Sequence, residues 1–433
     1  MANGIPDRVL IDALLEAHGQ RHNAALRRRF DLLYLHPDRQ DVESILSQAR
    51  TLEFAIKVRN VELHPFLPSP APETLQDSGL IVGRIPGYKE PVFIPLNRHV
   101  YVAGTTGAGK TTVVEWLVLQ AIRKDMHVII FDPQGHFSRD IVPRIGFHRC
   151  YIVTGDTFRV NPFDPPPTTN IRDWLGWLGN INRELFSFRR GSENFFSVVA
   201  LAMVESGARL NMKSFLAAAI AAQPKQRYSR EYDYFDSVKN TVEGLLASLP
   251  PIGVASSAGF SQIFSRPVTV FDFASLEHKQ TKKYVTLLAL SWLMASRSGQ
   301  TDVQPDTLIV CDEIHELASV ELKNQSDIGE PFFIEAMRRS RTKGFTFVTL
   351  DQNPAHTHPI VRANSGTKIV MMLDGGEDKF TMAADLDLNA EQRAYLSALE
   401  SREALVKLPY LPTSFLVQVP EVIRVDAPDQ SQA

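Results

Sequence analysis

Gly104, Gly109, Lys110 and Thr111 stand at the spacing Gly-x-x-x-x-Gly-Lys-Thr within His99-Val-Tyr-Val-Ala-Gly-Thr-Thr-Gly-Ala-Gly-Lys-Thr-Thr112. A loop of this kind cradles phosphate when a strand precedes it and a helix follows. Both flanks fit. Val100 to Ala103 reads as a short buried strand, and Val113, Val114, Leu117, Val118, Ala121 and Ile122 recur at helical spacing. The glycines let the N–H groups of residues Gly104, Thr105, Thr106, Gly107, Ala108 and Gly109 turn inward toward a β-phosphate. The helix N-terminus, where Thr112 sits in the first turn, adds partial positive charge. Lys110 would reach the β- and γ-phosphates, and the Thr111 hydroxyl would ligate Mg²⁺.

A second set of groups suits hydrolysis at such a loop. Leu308-Ile-Val-Cys-Asp312-Glu313 is an apolar run ending in two acids. On a central strand pointing at the nucleotide, Asp312 would hold Mg²⁺ through its water shell and Glu313 would act as general base. Gln352 ends another apolar run, Phe345 to Leu350, and is placed to sense the γ-phosphate or orient the attacking water. Arg338, Arg339 and Arg341 lie between these two elements. A guanidinium at the departing γ-phosphate stabilises the transition state, and these arginines could supply one across a subunit boundary.

The rest of the chain must position these groups. Its 433 residues, 44% hydrophobic and 22% charged, suit a folded protein of two or three domains rather than a disordered one. A formal net charge of −3 removes any bulk electrostatic case for nucleic acid, so DNA contact requires a local patch or a channel. Two cysteines, Cys150 and Cys311, exclude a disulfide scaffold and suit a reducing cytoplasm. No signal peptide or bilayer-length apolar run is visible, so a membrane would be reached only through a partner.

Residues 1–78 read as a helical N-terminal region closed by a proline-rich linker, His64 to Pro72. Its Arg27-Arg28-Arg29 is a solvated helix face or a contact for nucleic acid or an acidic partner. Residues 79–168 and 259–425 read as two parts of one α/β core, and 426–433 as a polar tail. Between the two parts, residues 169–258 carry amphipathic helical stripes and no strand pattern, which predicts a helical insertion. Gln223 to Phe235 mixes basic and aromatic residues that could stack bases and hold phosphates, or form an ordinary loop. Apolar runs at Leu80, Pro91, Val100, Met126, Cys150, Val268, Thr307, Thr346, Lys368 and Phe415 alternate with helices in the core. That pattern predicts a mostly parallel sheet covered on both faces.

In order and spacing these elements resemble the FtsK–HerA superfamily of ATP-driven DNA pumps, and HerA-type helicases most closely. Arg98-His99 before the loop strand, the loop to Thr111, Asp132-Pro-Gln-Gly and Asn161-Pro-Phe carry the first half of the resemblance. Asp312-Glu313-Ile-His315, Arg338-Arg-Ser-Arg-Thr-Lys-Gly344 and Asp351-Gln352 carry the second. The resemblance implies a RecA-like P-loop ATPase core using ATP and Mg²⁺, with a helical insertion, in a homohexameric ring threaded by duplex DNA. Lys110, Thr111, Asp312, Glu313 and Gln352 would form the site of one subunit, while Arg338 to Arg341, with Arg98, would reach a neighbour's nucleotide. The expected activity is that of a cytoplasmic DNA translocase driving or organising a partner nuclease or other effector, in DNA processing or defence against foreign DNA. A secretion or conjugation ATPase on a membrane partner, or an ATP-binding scaffold that regulates another enzyme, are the alternatives. The chain departs from the pattern in three places. The family's small N-terminal β-barrel is replaced by a helical reading, His136 stands where an acid is usual, and Asp351-Gln352 replaces Thr-Gln.

Overall fold

The computed structural model describes residues 66 and 69–420, apart from 87–89, 254–258 and 321–330. The helical readings of residues 9–60, the Arg27–Arg29 run and the polar tail lie outside the described residues. A compact unit begins at Pro70.

The strands are β1 (Leu80–Arg84), β2 (Pro91–Ile94), β3 (Val100–Ala103), β4 (His127–Asp132), β5 (Cys150–Val153) and β6 (Val268–Asp272). They continue with β7 (Val303–Cys311), β8 (Lys343–Asp351), β9 (Thr367–Val370), β10 (Glu403–Lys407) and β11 (Phe415–Gln418). All form one sheet in the order β2-β1-β11-β10-β9-β3-β8-β7-β4-β6-β5. From β9 to β5 every pairing is parallel. These strands are covered on both faces, which is why they read as unbroken apolar runs rather than alternating ones. The mostly parallel sheet is therefore present, and it carries an antiparallel edge of β10, β11, β1 and β2 that the apolar pattern did not disclose. β10, Glu403-Ala-Leu-Val-Lys, was missed because only three of its residues are buried and charges bound it.

Helix α1 (Lys110–Arg123) follows the glycine loop. Between β5 and β6 stand α2 (Ile171–Phe186), α3 (Arg190–Glu205), α4 (Met212–Ala221) and α5 (Arg230–Ser248). Their starts are set by side-chain caps: Asn170 accepts from the Asp173 N–H, Asn211 and Ser214 form a capping box, and Ser229 accepts from the Tyr232 N–H. Phe163, from the Asn161-Pro-Phe turn, packs with Phe196 and Phe215 at ring separations of 5.7 and 5.3 Å, and the Trp174 indole donates to the Pro162 carbonyl at 2.8 Å. That turn seats the helical insertion. Helix α6 (Lys279–Ser296) leads from β6 toward β7, and α7 (Phe332–Ser340) precedes β8. Among the described residues, no helix is long and apolar enough to cross a membrane. Cys150 and Cys311 are both buried free thiols.

Candidate nucleotide site

Parallel strands share one C-terminal edge, and the chemistry gathers there. The register aligns Ala103 of β3 with Asp351 of β8, Phe131 of β4 with Cys311 of β7, and Asp132 with Asp272. The loop from Gly104 to Gly109 leaves β3 at this edge and turns into α1. Gly107 and Gly109 have φ of 80° and 99°, a left-handed backbone that a side chain would strain. The first turn of α1 has no side-chain cap, so its N–H groups are open to an anion. Thr105 is tied to the Met372 carbonyl through its N–H at 2.8 Å and its hydroxyl at 3.2 Å. Lys110 folds over the loop and donates to the carbonyls of Gly104 at 2.7 Å and Thr105 at 3.0 Å. Burial lowers its ammonium pKa, opposed by Asp312, Glu313 and Asp351. Thr111 and Thr112 are half-buried in the first turn.

Asp312 and Glu313 follow β7. Burial, reinforced by the Glu313 charge, pushes the Asp312 carboxyl up to about 7. Such a group favours a cation beside it, and with the Thr111 hydroxyl it offers the hard oxygen donors that Mg²⁺ takes. Glu313 is buried and sits at φ 51°, ψ 51°, a conformation rare for a residue with a side chain and typical of functional strain. Burial raises its pKa, while His315 and Lys110 pull it back. Its Oε1 accepts the amides of Gln352 and of Gln134, the latter at 2.8 Å. Gln352 in turn accepts from the Thr106 hydroxyl at 2.6 Å. The terminal glutamine thus bridges the phosphate loop and the acid. His136 accepts from Arg139 at 3.0 Å and is 2.8 Å from Gln134 Oε1, extending the chain of contacts outward.

Gln134, His315 and Asp351 are site residues to which the motifs gave no role. His315 and Asp351 sit inside or beside recognised motifs, so position alone could have flagged them. Gln134 lies within the recognised Asp132-Pro-Gln-Gly motif, but its contact with Glu313, 179 residues away, is not visible in that local pattern. Asp132 caps the turn after β4, accepting the N–H groups of His136, Phe137 and Ser138 at 3.1, 2.8 and 3.2 Å.

The arginines stand elsewhere. Arg338 and Arg339 close α7 and Arg341 follows it, before β8 begins at Lys343. All three are exposed, and Arg339 pairs with Glu335 at 2.8 Å. Gln352 lies past the other end of this nine-residue strand, about 30 Å away at roughly 3.3 Å per residue. Arg98, expected with these arginines to reach a neighbour's nucleotide, also stands at the far edge. It is exposed before β3, its stem against Gly366, and it cannot serve the loop of its own chain. His99 gathers this group. It accepts the Phe347 N–H at 3.1 Å and so donates from Nε2 to the Met337 carbonyl at 2.8 Å, pinning the end of α7 to the start of β3. Burial lowers its pKa to about 4, with Arg341 and Arg98 adding to the effect, so the ring is neutral. In the insertion, Tyr228 is fully exposed and Lys225, Arg227 and Arg230 lie on the surface around it.

The pattern described as "Helicase HerA, central domain" matches residues 82–174. The DNA double-strand break repair helicase HerA of Sulfolobus acidocaldarius is 20% identical over 362 residues, 80% of this chain and 68% of that protein. Among solved structures, VirB4 of Thermoanaerobacter pseudethanolicus superposes with a TM-score of 0.61 at 13% identity, covering 80% of this chain and 98% of that one. The bacterial conjugative coupling protein TrwB gives 0.56 at 14% identity, covering 80% and 90%. Sheet order, glycine loop and acid pair define a RecA-like P-loop ATPase. Within that class the chain is similar to HerA-type ATPases of the FtsK–HerA superfamily.

Proposed function

We propose that this ATPase is a ring-forming DNA translocase, with ATP and Mg²⁺ held at seams between subunits of a homohexamer and duplex DNA passing through the centre. The observation that carries this reading is the separation of the arginines from the acids. A guanidinium on a side chain a few ångströms long does not span a nine-residue strand. Arg338, Arg341 and Arg98 can therefore meet a γ-phosphate only on another copy, and a ring supplies that copy to every subunit. TrwB, solved with ADP and Mg²⁺ and with a non-hydrolysable ATP analogue, supports the nucleotide and the metal. The likeness to a HerA repair helicase supports DNA as the polymer.

In this mechanism the loop N–H groups and Lys110 bind the β- and γ-phosphates, Lys110 exchanging the Gly104 and Thr105 carbonyls for phosphate oxygen. Thr111 and Asp312 would hold Mg²⁺, which neutralises charge on the β- and γ-oxygens when bound. Glu313 accepts a proton from the attacking water while Gln352, already touching the loop and the acid, orients that water. The neighbour's arginine stabilises charge as the phosphoryl leaves. Movement along DNA would power a nuclease or other effector, in DNA processing or defence against foreign DNA. The test is the mass of the assembly with and without ATP and duplex DNA, measured beside phosphate release. A hexamer whose turnover rises with DNA is expected. A monomer at high concentration that releases no phosphate removes the proposal.

The likeness to VirB4 and TrwB favours a second reading, a conjugation or secretion ATPase working on a membrane partner. DNA-stimulated hydrolysis that falls steeply with salt favours the translocase, because released counterions make phosphate-backbone binding salt-sensitive. Stimulation by membrane partner and not by DNA favours the second.

A further inference from the structure

We propose that His315, locked in place by Asp351, is a positioning residue that aims the Glu313 carboxylate at the attacking water. This rests on the hydrolytic reading of Glu313 given above. Asp351 is wholly buried and accepts four hydrogen bonds, from the Tyr101 and Thr357 hydroxyls, from the Asn353 N–H at 2.9 Å and from His315 Nδ1 at 3.2 Å. Tyr101 lies on β3 and Asp351 ends β8, so the anchor is built into the two paired strands that carry the phosphate loop and Gln352. His315 sits on the short helical turn Ile314–Leu317 that follows Glu313. Its Nδ1 lies 3.2 Å from Asp351 Oδ1 and 3.5 Å from Glu313 Oε2, one N–H between two carboxylates.

The two oxygens of Glu313 therefore meet different kinds of group. Oε1 is held by the amides of Gln134 and of Gln352, the latter bonded to Thr106 of the nucleotide loop. Oε2 faces a histidine fixed to the sheet. A glutamate on left-handed backbone has three free side-chain bonds, and its carboxylate acts as a base only within hydrogen-bond reach of the water. The histidine supplies the fixed point. It also accounts for the departure at this strand end, where Asp351 replaces the Thr of the resemblance. A buried carboxylate needs donors, and His315 is one of its four.

The test compares kcat and ATP KM, at saturating Mg²⁺ and DNA, for His315→Asn and His315→Gln. An asparagine amide nitrogen falls where Nδ1 stands, and a glutamine amide nitrogen falls nearer Nε2. His315→Asn should keep most of the wild-type kcat, and His315→Gln should lose at least about tenfold with ATP KM changed less than about twofold. Asp351→Asn should lower kcat by a similar factor, and the double variant with His315→Gln should be no slower than the slower single variant. Equal kcat for the Asn and Gln variants, or additive losses in the double, overturns the proposal. Glu313→Gln is measured beside them: if it hydrolyses ATP at the wild-type rate, the base assignment falls, and with it this inference. If it is inactive while His315→Gln is fully active, only the positioning role falls.

Discussion

Lys110 and Glu313 are both buried at the loop, and each is held by neutral partners on its own chain: two carbonyls for the lysine, two amides for the acid. In the proposed mechanism phosphate would replace the first set and water would approach through the second. Lys110→Ala should therefore weaken nucleotide binding by more than about tenfold, some 1.4 kcal/mol, read by titration calorimetry. Glu313→Gln should leave Kd for ATP unchanged, since the amide is neutral and nearly the same shape, while kcat drops by about 10²–10⁴. Retained turnover in that variant would take proton abstraction away from Glu313. The phosphate loop, the acid pair and Gln352 were legible in the sequence because each is a local pattern with a strand on one side. The grip on Glu313 was not. It joins residues from three separate strand ends, and burial of Asp351 becomes meaningful only once Tyr101 and Thr357 are beside it.

At the scale of elements, α2 of the insertion touches α7, the helix that leads to the arginines. Glu184 Oε2 accepts the Phe332 N–H at 2.6 Å, and the Trp177 ring meets Phe332 edge-on at 5.7 Å. Burial pushes the Glu184 carboxyl up to about 7, with the Phe332 N–H and Lys283 opposing it. In the unfolded chain a glutamate titrates near about 4.3. Between those values the folded protein holds a proton that the unfolded chain has shed, so this group's contribution to stability falls as pH rises through the window and is constant above it. Glu184→Gln keeps an acceptor for the N–H and has no proton to lose. Its melting temperature should match the wild type at pH 4, exceed it progressively toward pH 7, and stay ahead at a constant margin above. A margin that does not change with pH would show that Glu184 is not the titrating group. Helix α2 itself was readable from its stripe of Trp174, Leu175, Leu178 and Ile181, all buried. Its partner surface was not, because contact between α2 and α7 crosses about 150 residues of chain.

For the whole molecule, the parallel half of the sheet separates two functional edges. Acids, loop and Gln352 occupy one, and Arg98, Arg338 and Arg341 the other. The alternation of strands and helices made that half predictable. The antiparallel edge escaped because β10 went unread and the apolar runs of β1, β2 and β11 carry no mark of strand direction. If the arginines act on a neighbour, Arg338→Ala or Arg341→Ala should lower turnover by about 10³ or more while ATP binding survives. Mixing such a variant with Glu313→Gln should restore part of the rate, since some seams then combine an intact acid with an intact arginine. Mixtures that exchange subunits and stay inactive at every ratio would end the idea of a shared site.

Cys150 and Cys311 are the chain's two sulfhydryls, and both are packed inside the fold, with burial raising each above an ordinary thiol. A maleimide dye added to the native protein finds little thiolate to attack. One cysteine introduced at the exposed Tyr228 could then be labelled without first stripping the natural ones, giving an optical reporter on the insertion while phosphate release is followed in the same cuvette.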